Sequence, residues 1–301
     1  MAHSPLVEPT PHLISKTLKT KKTLSRCRYS AITTSLLIVA LCVGVRLQAQ
    51  FLFPTMGAHS IGLGGATTAL NDIESAFNND VGFAYNDKIK IIVAYRQQFH
   101  NNDFNTYYLG GAVPISFGTI ALSAISFGDN DYSEQRITAH YAIPLNDKIA
   151  LGIAFHLLQS IISDGYYPRQ DLLTFSVAMQ YKASDKLQVG FRLFNPTAVK
   201  THGINTLRTV TLISLGVSYQ PFDQLITTAE VEKTLYHNHT IRCGLDYLLM
   251  NRLHLLAGIA SYPLSYSFGV GTDFDHWQLN VATEIHHQLG ISPHLSILYS
   301  F

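Results

Sequence analysis

The sequence predicts an all-β protein: a transmembrane antiparallel β-barrel of about 14 strands after a short glycine-rich N-terminal segment. Three observations carry that expectation. Apolar and polar residues alternate with period two, as in Leu173, Phe175, Val177, Met179 and Tyr181 against Thr174, Ser176, Ala178 and Gln180. The alternating segments run about 10 to 13 residues, the length a tilted strand needs to cross the hydrocarbon layer and more than most soluble strands have. Charges of both signs fall on the polar face, where a lumen lets them pair, while Tyr95, Phe99, Tyr181, Tyr219, Tyr247, Tyr266, Phe274, Trp277, Tyr299 and Phe301 sit near segment ends on the apolar face, where interfacial girdles lie.

Composition agrees once arrangement is considered. With 47% hydrophobic and 14% charged residues the chain is very apolar, yet beyond the N-terminal region it has no apolar run long enough for a spanning helix. A net charge of +1 offers no basic surface for nucleic acid. Three cysteines, Cys27, Cys42 and Cys243, are too few and too scattered for a disulfide framework or a zinc site.

Residues 1–49 read as a signal peptide. Lys16, Lys19, Lys21, Lys22, Arg26 and Arg28 precede the apolar stretch from Ala31 to Val45, and the small Ala49 ends the segment. Its basic region is longer than usual, which fits either an upstream start or a retained anchor. Leu41 before Cys42 argues against lipidation. Residues 50–88 precede the barrel, rich in glycine and too broken for a strand or a long helix.

Residues 89–301 are the barrel. Its segments fall at 89–99, 105–115, 118–128, 133–145, 148–160, 171–183, 186–196, 209–221, 224–235, 239–250, 252–262, 265–275, 277–288 and 294–301. Tight turns such as Leu145–Lys148 and Ala183–Lys186 alternate with connections that include the longer 161–170 and 197–208. Short turns on one side and longer loops on the other are expected of the periplasmic and outer faces of an outer-membrane barrel. An even count returns both termini to the periplasm, with the last strand closing the ring. Its terminal aromatics, Tyr299 and Phe301, resemble the signal read by the barrel-assembly machinery.

Residues 50–88 carry a family resemblance. Gly62-Leu63-Gly64-Gly65-Ala66, then Asn71-Asp72, then Asn79-Asp80-Val81-Gly82-Phe83 resemble the mature N-terminus of the FadL superfamily, in particular its PorV/PorQ-like branch of the Bacteroidota. Asp80 stands where that family has proline. The resemblance implies a hatch that plugs the lumen and takes part in passage of hydrophobic substrates, or, in the PorV-like branch, a partner role in type IX protein secretion.

Lumen charges are the other candidate site: Arg96, Arg192, Glu230, Glu232, Arg242, Asp246, Arg252, Asp273 and Glu284. A three-residue turn at 236–238 would set Glu232 opposite Arg242. Such pairs serve to stabilise or occlude the lumen, or to form a polar constriction. A metal site is not expected: His286 and His287 are adjacent on a strand and point to opposite faces, and His237 and His239 flank a hairpin tip. No nucleophile motif, cofactor signature or enzyme constellation is visible. Tyr166, Tyr167, Pro168 and Arg169 form a loop of composition suited to protein contact. Short loops therefore favour an accessory or scaffold subunit of an outer-membrane secretion or assembly machine. The alternative is a gated channel for small hydrophobic compounds. Expected partners are outer-membrane lipid and lipopolysaccharide, the assembly machinery during biogenesis, and other outer-membrane or surface proteins.

Overall fold

The computed structural model describes residues 50–51, 55–163, 168–199, 208–235 and 239–301. The expected signal peptide lies outside the described residues.

Among the described residues, fourteen antiparallel strands form a closed barrel. They are β1 (Lys90–Gln97), β2 (Asn105–Ile115), β3 (Gly118–Gly128), β4 (Tyr132–Pro144), β5 (Ile149–Ile162), β6 (Gln170–Ser184) and β7 (Leu187–Phe194). The second half comprises β8 (Leu212–Phe222), β9 (Leu225–Thr234), β10 (Thr240–Leu249), β11 (Leu253–Ser261), β12 (Leu264–Phe274), β13 (Trp277–His286) and β14 (Gly290–Ser300). Each strand pairs with its neighbours in sequence, and β14 closes on β1 from His294 opposite Arg96 to Ser300 opposite Lys90. Closure leaves no sheet edge unpaired, the condition for strands to cross a bilayer.

Period two decides what each strand shows. Leu122 on β3 is 61% exposed while its neighbour Ala121 is 1% exposed, and Phe268 on β12 is 54% exposed between buried Ser267 and its neighbours. The outward set is Leu, Ile, Val, Phe and Tyr. The inward set is small or polar: Ala94, Ala112, Ala121, Ala142, Ala150, Ala154 and Ala178 are all buried. Their smallness has a cause, for the lumen is filled. Met56, Ile73, Phe77, Val81, Phe83 and Ala84 of the hatch pack in one apolar cluster with wall residues that include Ile92, Tyr108, Ile125 and Leu298. Each large side chain buried there contributes about 1.5–3 kcal/mol, so the hatch is held like a protein core.

The strand positions agree with the sequence reading to within a few residues, with four corrections. Phe99 is not on a strand: Gln98–His100 form a 3₁₀ turn in which Phe99 has φ 54° and its ring meets His286 edge-on at 5.9 Å. The last strand starts at Gly290, four residues earlier than its polarity indicated. Arg252 is exposed in the turn before β11, outside the lumen. The β9–β10 register also differs, since Glu230 faces Arg242 and Glu232 faces Thr240.

The chain threads the barrel from end to end. Gln50–Phe51 pair in parallel with Arg208–Thr209, in the connection between β7 and β8 on the long-loop rim. The hatch then descends the lumen and leaves at the opposite rim, where Tyr85 Oη donates to the Asn146 carbonyl (2.9 Å) in a short turn. Residue 50 and Phe301 therefore lie at opposite rims, while the barrel's own ends, Lys90 and Ser300, share one. A cysteine replacing Gln50 and one replacing Met250, each in a Cys243→Ser background, are expected to react with an impermeant maleimide from opposite faces of the membrane. Labelling of both from one face would contradict this threading.

Candidate functional site: the hatch and the lumen wall

The hatch has little regular structure, only α1 (Ala58–Gly62) and α2 (Ser75–Asn78). Its backbone polar groups need partners once buried, and wall side chains supply many of them. Glu230 accepts from the Thr67 and Thr68 amides, both at 2.9 Å. Gln180 Nε2 donates to the Leu70 carbonyl (2.8 Å) and Arg136 Nη2 to the Phe77 carbonyl (2.9 Å). Inside the hatch, Asn78 clamps both the amide and carbonyl of Met56 (2.8 and 2.7 Å), and Asn79 Nδ2 donates to the Thr68 carbonyl. Glu74 accepts from the Ser60 amide (2.7 Å), the His59 amide (3.3 Å) and Ser296 Oγ of β14 (2.7 Å), and burial raises its carboxyl above the usual range.

Asp80 is the main pin. Its carboxylate is buried and receives Arg192 Nε of β7 (3.2 Å), His140 Nδ1 of β4 (3.2 Å) and Ser176 Oγ of β6 (2.5 Å). Burial alone would raise this carboxyl, but the Arg192 guanidinium, with His140, holds it well below the usual carboxylate range. His156 extends the network, with Nε2 against Ser176 Oγ (2.6 Å) and Nδ1 against Thr138 Oγ1 (3.0 Å). Ser123 Oγ, 3.0 Å from His140 Nε2, completes a hydroxyl–imidazole–carboxylate order with Asp80. All three are buried by the hatch, and Asp80 is tied further to Arg192 and Ser176, so the order reads as anchorage.

A second group lies against α1. His59 Nε2 is 3.1 Å from Asp246 Oδ2 of β10, and its Nδ1 is 3.6 Å from Asp72 Oδ2. Asp246 Oδ1 is in turn 2.8 Å from His254 Nδ1 of β11, whose Nε2 is 3.3 Å from Asp273 Oδ2 of β12. Burial would lower the His59 imidazole, but its hydrogen bond to Asp246 and the nearby Asp72 carboxylate hold it well above the usual value.

The expected lumen charges are brought together in pairs. Arg242 makes a two-point contact with Glu232 (2.7 and 3.1 Å) despite the changed register, and a third to Glu230 (3.4 Å). Arg96 meets Glu284 at 3.3 Å. Of the expected hatch residues, Gly64 and Gly65 take φ 65° and 81° in the turn after α1, where a side chain is strained. Gly62 ends α1, and Asn71 makes a mutual amide pair with Gln188 (2.9 Å each way). Gly82 and Asp72 line a cleft of about 100 Å³ at the short-turn rim, with Phe83, Tyr85 and Lys90. Tyr299 packs against Trp277 (4.6 Å) and Phe301 (4.8 Å) beside the closing seam. Of the proposed contact loop, Tyr166 and Tyr167 lie outside the described residues, Pro168 is exposed, and Arg169 forms an exposed pair with Asp171 (2.8 Å).

Sequence reasoning missed His59, Glu74 and Asn78 of the hatch and Arg136, His140, His156, Ser176 and Gln180 of the wall. The available signal was large polar residues at inward positions of otherwise small-residue faces.

No protein-family model and no curated protein matches the chain. Among solved structures it is similar to the CymD monoaromatic hydrocarbon channel (TM-score 0.62, 13% identity, 84% of this chain and 99% of that one). A Pseudomonas aeruginosa FadL homologue gives TM-score 0.62 at 15% identity over 84% of this chain and all of that one. The P. putida toluene transporter TodX gives 0.62 at 12% identity over 82% and 98%. With its closed fourteen-stranded ring and filled lumen, this chain has the fold of the FadL-like outer-membrane barrels.

Proposed function

We propose that the barrel is a gated channel for small hydrophobic compounds across an outer membrane, with residues 55–88 as the gate. The carrying observation is the seated hatch: it fills the lumen of a fold that CymD and TodX, a hydrocarbon channel and a toluene transporter by name, also have. Polar pins such as Asp80 and Glu230 locate the hatch, while its apolar cluster offers an oily surface once a solute displaces it. The accessory-subunit role favoured by the short loops has no counterpart among these neighbours. The fold likeness gives the PorV-like branch and a secretion role no support.

A disulfide lock tests the gate. The Ala69 Cβ lies 3.6 Å from where a Cβ on Gly216 of β8 would sit, within disulfide reach. Ala69→Cys with Gly216→Cys, in a Cys243→Ser background, is expected to block uptake of a labelled monoaromatic hydrocarbon when oxidised and restore it on reduction. Uptake indifferent to the lock, or equal in cells lacking the protein, would overturn the proposal.

A further inference from the structure

We propose that the Asp72–His59–Asp246–His254–Asp273 chain is a proton-operated latch that holds α1 of the hatch against β10–β12 and lets go as pH rises. This rests on the hatch being the gate.

The geometry specifies the protonation state. Each imidazole lies between two carboxylates: His59 between Asp246 (3.1 Å) and Asp72 (3.6 Å), His254 between Asp246 (2.8 Å) and Asp273 (3.3 Å). A neutral ring has one N–H and one lone pair, so one of its nitrogens would face a carboxylate oxygen with no proton between them. Only the imidazolium presents an N–H at both ends. Asp246 bridges the two rings and is itself buried, so it depends on their charge more than the exposed Asp273 does.

The groups facing His59 are all acidic or part of this chain: Asp72 and Glu74 from the hatch and Asp246 from β10, followed by His254 of β11 and Asp273 of β12. Deprotonation of His59 therefore withdraws the positive charge that faces Asp72, Glu74 and Asp246 at one site. Glu74 is the carboxylate that holds the first amides of α1 and Ser296. The mechanical consequence lands on residues 57–65. The β4–β7 pins around Asp80 are a separate group and stay closed.

The sign follows from linkage. The His59 value in the folded protein lies above its ordinary one of about 6.5, so its contribution is complete below that pH. It is lost as pH rises through the folded value. Acid therefore latches and base unlatches.

Hydrogen exchange, corrected for intrinsic rates, tests this on the full chain in nanodiscs. Between about pH 7 and pH 10, peptides covering 57–65 are expected to lose protection about tenfold relative to β5 peptides. His59→Gln should show the unprotected rate at every pH, and Asp246→Asn should remove most of the pH response. Wild-type protection of 57–65 that does not fall with pH, or a His59→Gln variant with the wild-type response, would overturn the latch. Hydrocarbon uptake measured alongside separates the two proposals: a latch that opens while uptake stays unchanged removes the gate and leaves the latch standing.

Discussion

Replacing Asp80 by alanine is expected to destabilise the seated hatch by about 3–5 kcal/mol, the range for removing one partner of a buried, hydrogen-bonded ion pair. The loss is large because the change orphans three groups at once. Arg192, His140 and Ser176 all lose the acceptor they converge on. Denaturant unfolding in detergent, with exchange of peptides 78–84 against barrel peptides, gives the measurement. Asp80→Ala with Arg192→Met should recover part of the loss, since the double variant also removes the guanidinium that loses its partner. A cost below about 1 kcal/mol would mean that Asp80 does not pin the hatch. The same carboxylate sets an acid limit: its stabilisation is complete above the ordinary carboxylate value of about 3.9 and is lost as pH falls through its lower folded value.

Gly190→Leu is expected to unseat the hatch while sparing the barrel. Gly190 sits mid-strand on β7, and a Cβ there would fall on the Thr68 carbonyl, a backbone atom that cannot swing aside. Overpacking an ordinary core site costs about 1–3 kcal/mol, and this position has less room to adjust. The lipid face is untouched, so strand pairing with β6 and β8 should persist. In planar bilayers the variant should conduct well above wild type, and a protease should cut within residues 55–88. Wild-type conductance together with a protected hatch would contradict the packing described.

The barrel was legible because its pattern is local. On β6 the alternation alone placed 171–183, and the strand is Gln170–Ser184. The reading failed where local pattern stops deciding. Phe99 continues the alternation of β1, yet the chain turns there because Phe99 and His100 both adopt positive φ, which residue identity did not announce. The β9–β10 register was inferred from a turn length, whereas the strands pair two residues away. Arg242 still reaches Glu232, because a long guanidinium side chain spans the diagonal.

For the candidate site, the glycine-rich segment was recognisable, through its resemblance, as a hatch in or under the lumen, but the wall residues that hold it were not. Its contacts join residues more than a hundred positions apart, such as Asp80 with Arg192 and Thr67 with Glu230. The one visible trace was Asp80 in place of a proline. A buried acid at that point makes sense only with the β4, β6 and β7 side chains around it.

Nitroxide scanning along β5 in lipid bilayers tests most directly whether the outward face meets acyl chains and the inward face meets the hatch. Labels at Leu151, Ile153, Phe155 and Leu157 should be accessible to oxygen and shielded from a water-soluble nickel reagent. Those at Ala150, Ala154 and His156, all buried, should be poorly accessible to both. A strong nickel response at the outward positions, or a flat profile without period two, would contradict the account.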